Sequence, residues 1–139
     1  MIFWDSSAIV SLLVDEPESV ARAAMLGADP IMAVWWATPV ECESALQRRI
    51  REGSIDAKSA SQARDRLTAL AGCWHEVSPT SEVRKLALRL LRTHPLRAAD
   101  SLQLAAALAL EAAGLPGLHF ACSDQRLSIA AETEGLVVA

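Results

Sequence analysis

The sequence predicts an α/β fold: a central, mainly parallel sheet of about five short strands, flanked by helices. Three observations carry this. Short apolar runs alternate with helical segments along the chain, an order that favours parallel strands covered on both faces. The 139 residues are 52% hydrophobic, enough for one domain (1–139) with a sizeable core and too apolar for disorder. Helix-start and helix-stop residues recur at the junctions between runs.

Ile2 to Trp4 reads as a short buried strand, followed by a helix over Ser6 to Val14. Pro17 restarts a helix that runs through Leu26, since proline suits a first helical turn. Gly27-Ala28-Asp29-Pro30 is a turn, and Ile31 to Trp35 suits a second strand. Thr38-Pro39 opens the next helix with Thr as N-cap and Pro at the first helical position; Gly53 stops it after Glu52. Asp56 to Leu70 is an amphipathic helix, and Trp74 to Val77 a short strand. Ser78-Pro79-Thr80 leads into a helix that ends before His94-Pro95, because the residue before proline is biased out of the helical region. The Ala-rich helix from Arg97 to Ala113 is closed by Gly114. Leu118 to Ala121 and Leu136 to Val138 are the last strands, separated by a helix near Gln125 to Thr133. No internal repeat, linker or low-complexity tract interrupts this order.

No apolar run approaches the length that spans a bilayer, and the first residues do not resemble a signal segment. Cys42, Cys73 and Cys122 have no disulfide or metal-finger spacing and read as small buried residues in a reducing cytoplasm. Thirteen Lys+Arg against seventeen Asp+Glu give a net charge of −4. That counts against a nucleic-acid binder only mildly, because a bound cation partly neutralises carboxylates around it.

Three aspartates interrupt apolar stretches. Asp5 ends the run Met1-Ile2-Phe3-Trp4, Asp124 follows Leu118 to Ser123, and Asp100 lies within Leu96 to Leu110. A buried, unpaired carboxylate costs several kcal/mol, so it has a partner, and a divalent metal is the natural one where cations are few. In open α/β sheets, ligands gather at the carboxyl ends of strands, which places Asp5 and Asp124 on one edge. Each acid also has a purely structural role open to it. Asp5 and Asp124 suit helix caps, and Asp100 suits a helix start or a pair with Arg97.

Four stretches resemble the PIN-domain family, and within it the toxin nucleases of VapBC toxin–antitoxin pairs. They are Ile2-Phe3-Trp4-Asp5-Ser6-Ser7-Ala8, Thr38-Pro39-Val40-Glu41 with Ser44-Ala45-Leu46, Leu96 to Ala105 around Asp100, and Phe120 to Leu127 around Asp124. Each is a weak motif alone, but all four occur in order and on the expected elements. The resemblance implies a PIN-like three-layer fold and a metal-dependent endoribonuclease site built from Asp5, Glu41, Asp100 and Asp124. Asp5, Asp100 and Asp124 would hold Mg²⁺ or Mn²⁺, with Glu41 acting through water. Hard ions of this kind prefer carboxylate and water oxygens. Ser6 and Ser7 would orient Asp5 or a metal water, and Arg97 would contact substrate phosphate or pair with an acid. The implied partners are RNA, a cognate VapB-like antitoxin and a second copy of the chain, with no membrane.

Helical periodicity leaves Glu41 and Glu43 equivalent, both at the edge of a core face formed by Cys42, Ala45, Leu46 and Ile50. Only the family pattern selects Glu41, leaving Glu43 as a solvent-side charge. Cys122 stands where the family often has Thr, removing a better hydrogen-bonding hydroxyl. Arg48, Arg49 and Arg51, with Arg84, Lys85, Arg89, Arg92 and Arg97, read as solvated helix faces or phosphate contacts. Trp35-Trp36 suits core, a base-stacking platform or a partner patch. His75, His94 and His119 are scattered and form no rival site. A PIN-fold module that binds RNA or protein without cleaving is the alternative reading. An Asp-nucleophile phosphatase fails, because Ser7 stands where its second Asp would be.

Overall fold

The computed structural model describes residues 1–115 and 117–139. Five strands, β1 (Ile2–Trp4), β2 (Met32–Trp35), β3 (His75–Val77), β4 (His119–Ala121) and β5 (Val137–Val138), form one sheet in the order β3-β2-β1-β4-β5. All four pairings are parallel. The crossovers are α1 (Ser6–Leu13), α2 (Ser19–Ala28), α3 (Thr38–Arg51), α4 (Ala57–Ala71), α5 (Ser81–Thr93), α6 (Ala98–Ala112) and α7 (Gln125–Thr133).

The central strand β1 sends alternate side chains to opposite faces, as extended backbone requires. Phe3 enters one core with Leu90, Leu104, Phe120 and Leu127, beneath α5, α6 and α7. Its ring stacks on Phe120 of the neighbouring strand, with centroids 5.6 Å apart. Ile2 and Trp4 enter the other core with Ile9, Leu13, Met32 and Leu46, beneath α1, α3 and α4. Burial on both faces explains why the inner strands are continuous apolar runs rather than alternating ones. Among the described residues no helix is long and apolar enough to cross a membrane.

The elements match the sequence expectation, with local differences that have physical causes. The second helix starts at Ser19 rather than Pro17, because the Ser19 hydroxyl closes a turn. It accepts from Glu16 N at 2.9 Å and donates to Val14 O at 2.9 Å. That helix then runs through Gly27. Thr38 does not cap α3; the cap is Ala37 and Thr38 is the first helical residue. Its buried hydroxyl accepts from Gln103 Nε2 at 3.2 Å instead. Gly53 ends α3 as expected, in the left-handed region at φ 73°. Cys73 is exposed, unlike buried Cys42 and Cys122, and all three thiols are free.

Arg22 of α2 is a buried cation that ties this helix to the far side of β1. Its guanidinium donates to Cys122 O at 2.6 Å, to Ala139 O at 2.7 Å and to Glu18 Oε2 at 3.3 Å. A buried carbonyl without its donor costs about 1–3 kcal/mol. Arg22→Met is therefore expected to lower unfolding stability by about 1–3 kcal/mol, read as a fall in the urea midpoint.

Candidate active site

The carboxyl edge of the sheet is where the site assembles, because β1, β2 and β4 each hand the chain to a helix there. Asp5 leaves β1 and caps α1, its carboxylate accepting from Ser7 N at 2.9 Å. Asp124 follows β4 and caps α7, accepting from Leu127 N at 2.9 Å. Asp100 lies in the first turn of α6 and accepts from the backbone N–H of Arg97 at 3.4 Å. Glu41 lies in the first turn of α3. Each acid thus occupies a helix N-terminus, where the macrodipole favours negative charge. Capping and site-building, posed as alternatives by the sequence, are compatible here.

All four acids line one cleft of about 610 Å³, together with Ser6, Ser7, Ser123, Glu16, Arg48 and Arg49. Their hydrogen bonding follows a common rule. The bonds to Asp5 converge on Oδ2, from Ser7 N and from Ser7 Oγ at 2.5 Å. Those to Glu41 converge on Oε2, from Ser6 Oγ at 2.8 Å and Gln103 Nε2 at 3.1 Å. Asp100 uses Oδ2 and Asp124 uses Oδ1. One oxygen of each carboxylate is anchored, and among the described residues the other has no protein donor.

Ser6 and Ser7 thus orient Glu41 and Asp5 respectively. Ser7 Oγ also accepts from Ser123 N at 3.0 Å, joining the ends of β1 and β4. Cys122 takes over part of a hydroxyl's role, its sulfur accepting from Asp124 N at 3.2 Å. Burial, reinforced by Asp5, pushes this thiol up to about 12, so it stays protonated. Arg97 is exposed and does not line the cleft. Among the described residues it forms no ion pair with Asp100. Glu43 points away to Arg64 of α4, accepting at 2.9 Å. That orientation separates it from Glu41 where periodicity did not.

Sequence reasoning missed Gln103, which is fully buried and bridges Thr38 and Glu41. The available signal was one amide in the apolar run Leu102 to Leu110, three residues after Asp100 and so on its face of the helix. Trp35 is core, whereas Trp36 is 54% exposed. Of the three aspartates, Asp5 alone is buried, at 3% exposure.

Crowding and burial leave their mark on ionisation. Burial raises the Asp5 pKa, against the Ser7 hydrogen bonds and with help from Asp100. Burial also raises Glu41 against Gln103 and Ser6, with Asp5 and Asp100 adding to the rise. Asp100 is raised by burial first and by Asp124 as well, while the Arg97 backbone opposes it. Among the described residues no three His, Cys, Asp or Glu side chains are already close enough to form a closed ligand cage. The donor set nevertheless fits a hard, hydrated ion. All donors are oxygens, each carboxylate keeps a free oxygen, and Mg²⁺ keeps several of its own waters.

The PIN domain family model matches residues 2–131. The chain belongs to the PIN domain family. Ribonuclease VapC45 from Mycobacterium tuberculosis (strain CDC 1551 / Oshkosh) is 34% identical over 140 residues, spanning 100% of this chain and 94% of that protein. Two solved PIN-like structures share the fold. The M. tuberculosis VapC20 structure, described as a sarcin-ricin loop cleaving toxin, has a TM-score of 0.69 at 16% identity, covering 99% of this chain and 97% of that one. A toxin–antitoxin complex from Klebsiella pneumoniae has a TM-score of 0.65 at 16% identity, covering 91% of this chain and 88% of that one.

A group whose folded pKa is raised contributes stability below its unfolded pKa and loses it as pH rises through the folded value. For Asp5, ionisation above the ordinary carboxylate range therefore opposes folding of the metal-free protein. The Tm of Asp5→Asn relative to wild type is expected to rise as pH goes from 4 toward 7, measured in EDTA. For Gln103, whose Oε1 is buried without a donor, Gln103→Leu removes an unsatisfied acceptor while releasing Glu41. Because buried Thr38 Oγ1 loses its donor and Glu41 Oε2 one of its two, unfolding stability is expected to fall by about 1–3 kcal/mol, read as a lower Tm by calorimetry.

Proposed function

We propose that this PIN domain is a Mg²⁺- or Mn²⁺-dependent endoribonuclease and the toxin of a VapBC-type pair. The observation that carries the reading is the gathering of four half-anchored carboxylates in one cleft. It is supported by the full-length likeness to ribonuclease VapC45. Asp5, Asp100 and Asp124 would hold the ion, with Glu41 reaching it through water. A divalent ion bound there supplies Lewis-acid polarisation of a phosphate oxygen and lowers the pKa of water.

The protein's part is orientation. Ser7 fixes the Asp5 rotamer, while Ser6 and Gln103 fix Glu41 with Oε1 free to accept a hydrogen bond from a water. Arg97, exposed beside Asp100, is a candidate phosphate contact. We place the chain in the cytoplasm, where RNA is available and free thiols persist. We further propose an antitoxin partner and a homodimer; exposed Trp36 and Val40 give apolar surface for such contacts. The non-cleaving alternative is disfavoured, because it leaves four intact, gathered acids without a role.

Cleavage of a mixed RNA pool is expected with Mg²⁺ or Mn²⁺ and absent in EDTA. Asp100→Asn is expected to lower kcat/KM by more than the roughly 10–100-fold typical of an outer-shell change, whereas Glu43→Gln stays near wild type. Cleavage that persists in EDTA, or unchanged Asp100→Asn activity, would contradict the reading.

A further inference from the structure

The acidic cleft has a cationic end that the carboxylate site does not use. One face of α3 lines it from Val40 and Glu41 through Ser44 and Ala45 to Arg48 and Arg49. That is the i, i+3/i+4, i+7/i+8 stripe of a single helix face. Glu41 and Arg48 are two turns apart, about 10 Å along the helix axis at 1.5 Å per residue. The two cleft arginines differ in their commitments. Arg49 forms an ion pair with Glu16 on the opposite wall. Arg48 is exposed, and among the described residues no carboxylate pairs with it. No other arginine lines the cleft among the described residues, and Arg64 and Arg89 pair elsewhere, with Glu43 and Glu134. Arg48 lies in the last turn of α3, where the helix dipole stabilises a cation.

We propose that Arg48 forms a phosphate subsite for single-stranded RNA, engaging a backbone phosphate beyond the one held at the carboxylates. The inference rests on the ribonuclease reading and extends it to the path of the substrate. A polyanion entering a cleft walled by Asp5, Glu16, Glu41, Asp100 and Asp124 meets repulsion that a hydrated ion offsets only locally. A guanidinium two turns from Glu41 anchors the strand outside that ion's reach. Its planar fork suits phosphate oxygens. The cleft's volume of about 610 Å³ exceeds what a hydrated ion needs and lies within the range of pockets that hold organic ligands.

The test uses full-length protein carrying Asp100→Asn to block cleavage, and a fluorescein-labelled 12-nucleotide single-stranded RNA of random sequence. Arg48→Gln is expected to weaken binding about fivefold, as for a partly screened charge-assisted contact. It is also expected to lower the slope of log Kd against log[salt] by about 0.7. Arg48→Lys is expected to keep most of that slope because it keeps the charge. Arg51→Gln, on the same helix outside the cleft, is expected to match the parent. In the cleaving background, Arg48→Gln is expected to raise KM and leave kcat unchanged. Equal affinity and salt slope for Arg48→Gln and the parent would overturn the subsite, as would an equal loss in Arg51→Gln. Loss of binding to a hexaglutamate peptide, with RNA binding intact, would assign Arg48 to an acidic protein segment and overturn it too. Wild-type protein that cleaves no RNA pool counts against the ribonuclease reading alone, since the binding arm reports on Arg48 separately.

Discussion

Four carboxylates facing one cleft repel each other, and among the described residues no salt bridge neutralises them. Each acid sits at the start of a helix, and three of the four are held by a backbone N–H in that first turn. The positive ends of α1, α3, α6 and α7 therefore converge on the negative charges. Parallel strand order makes this possible, because every strand delivers its following helix to the same edge. The same hydrogen bonds that anchor one oxygen per acid leave the other available. The structural economy and the chemistry come from one feature.

Around that feature, a polar frame keeps the acids from swinging apart. Ser7 links Asp5 to the backbone of Ser123, and Cys122 braces Asp124. Arg22 holds the Cys122 carbonyl from the far side. Gln103 carries the frame across to α3, joining Thr38 and Glu41. Substitution at any of these positions is expected to act on the site through geometry, since none of the framing residues is itself a proposed ligand.

Much of this was legible in the chain. Asp5 and Asp124 follow short apolar strands, so their shared edge came from strand–helix order alone. The five strands and seven helices among the described residues were readable from apolar runs and from stops such as Gly53. Less was legible where a residue's partner lies far away in sequence. Thr38 looked like an N-cap, but its hydroxyl serves Gln103, 65 residues on. Glu41 and Glu43 share a helix edge, and their partners separate them physically: Ser6 and Gln103 hold Glu41, while Arg64 of α4 holds Glu43. Gln103 and Arg22 are polar side chains in helices that otherwise read as ordinary packing, and their roles appear only when the backbone carbonyls and carboxylates they serve are in place.

In the proposed site, the free oxygens of Asp5, Asp100 and Asp124 converge on one divalent ion. Anomalous diffraction from crystals equilibrated with Mn²⁺ tests it most directly. An anomalous peak is expected in the cleft, between these three carboxylates and within water-mediated reach of Glu41 Oε1. A fully occupied peak elsewhere, or no peak in the cleft at saturating Mn²⁺, would contradict it.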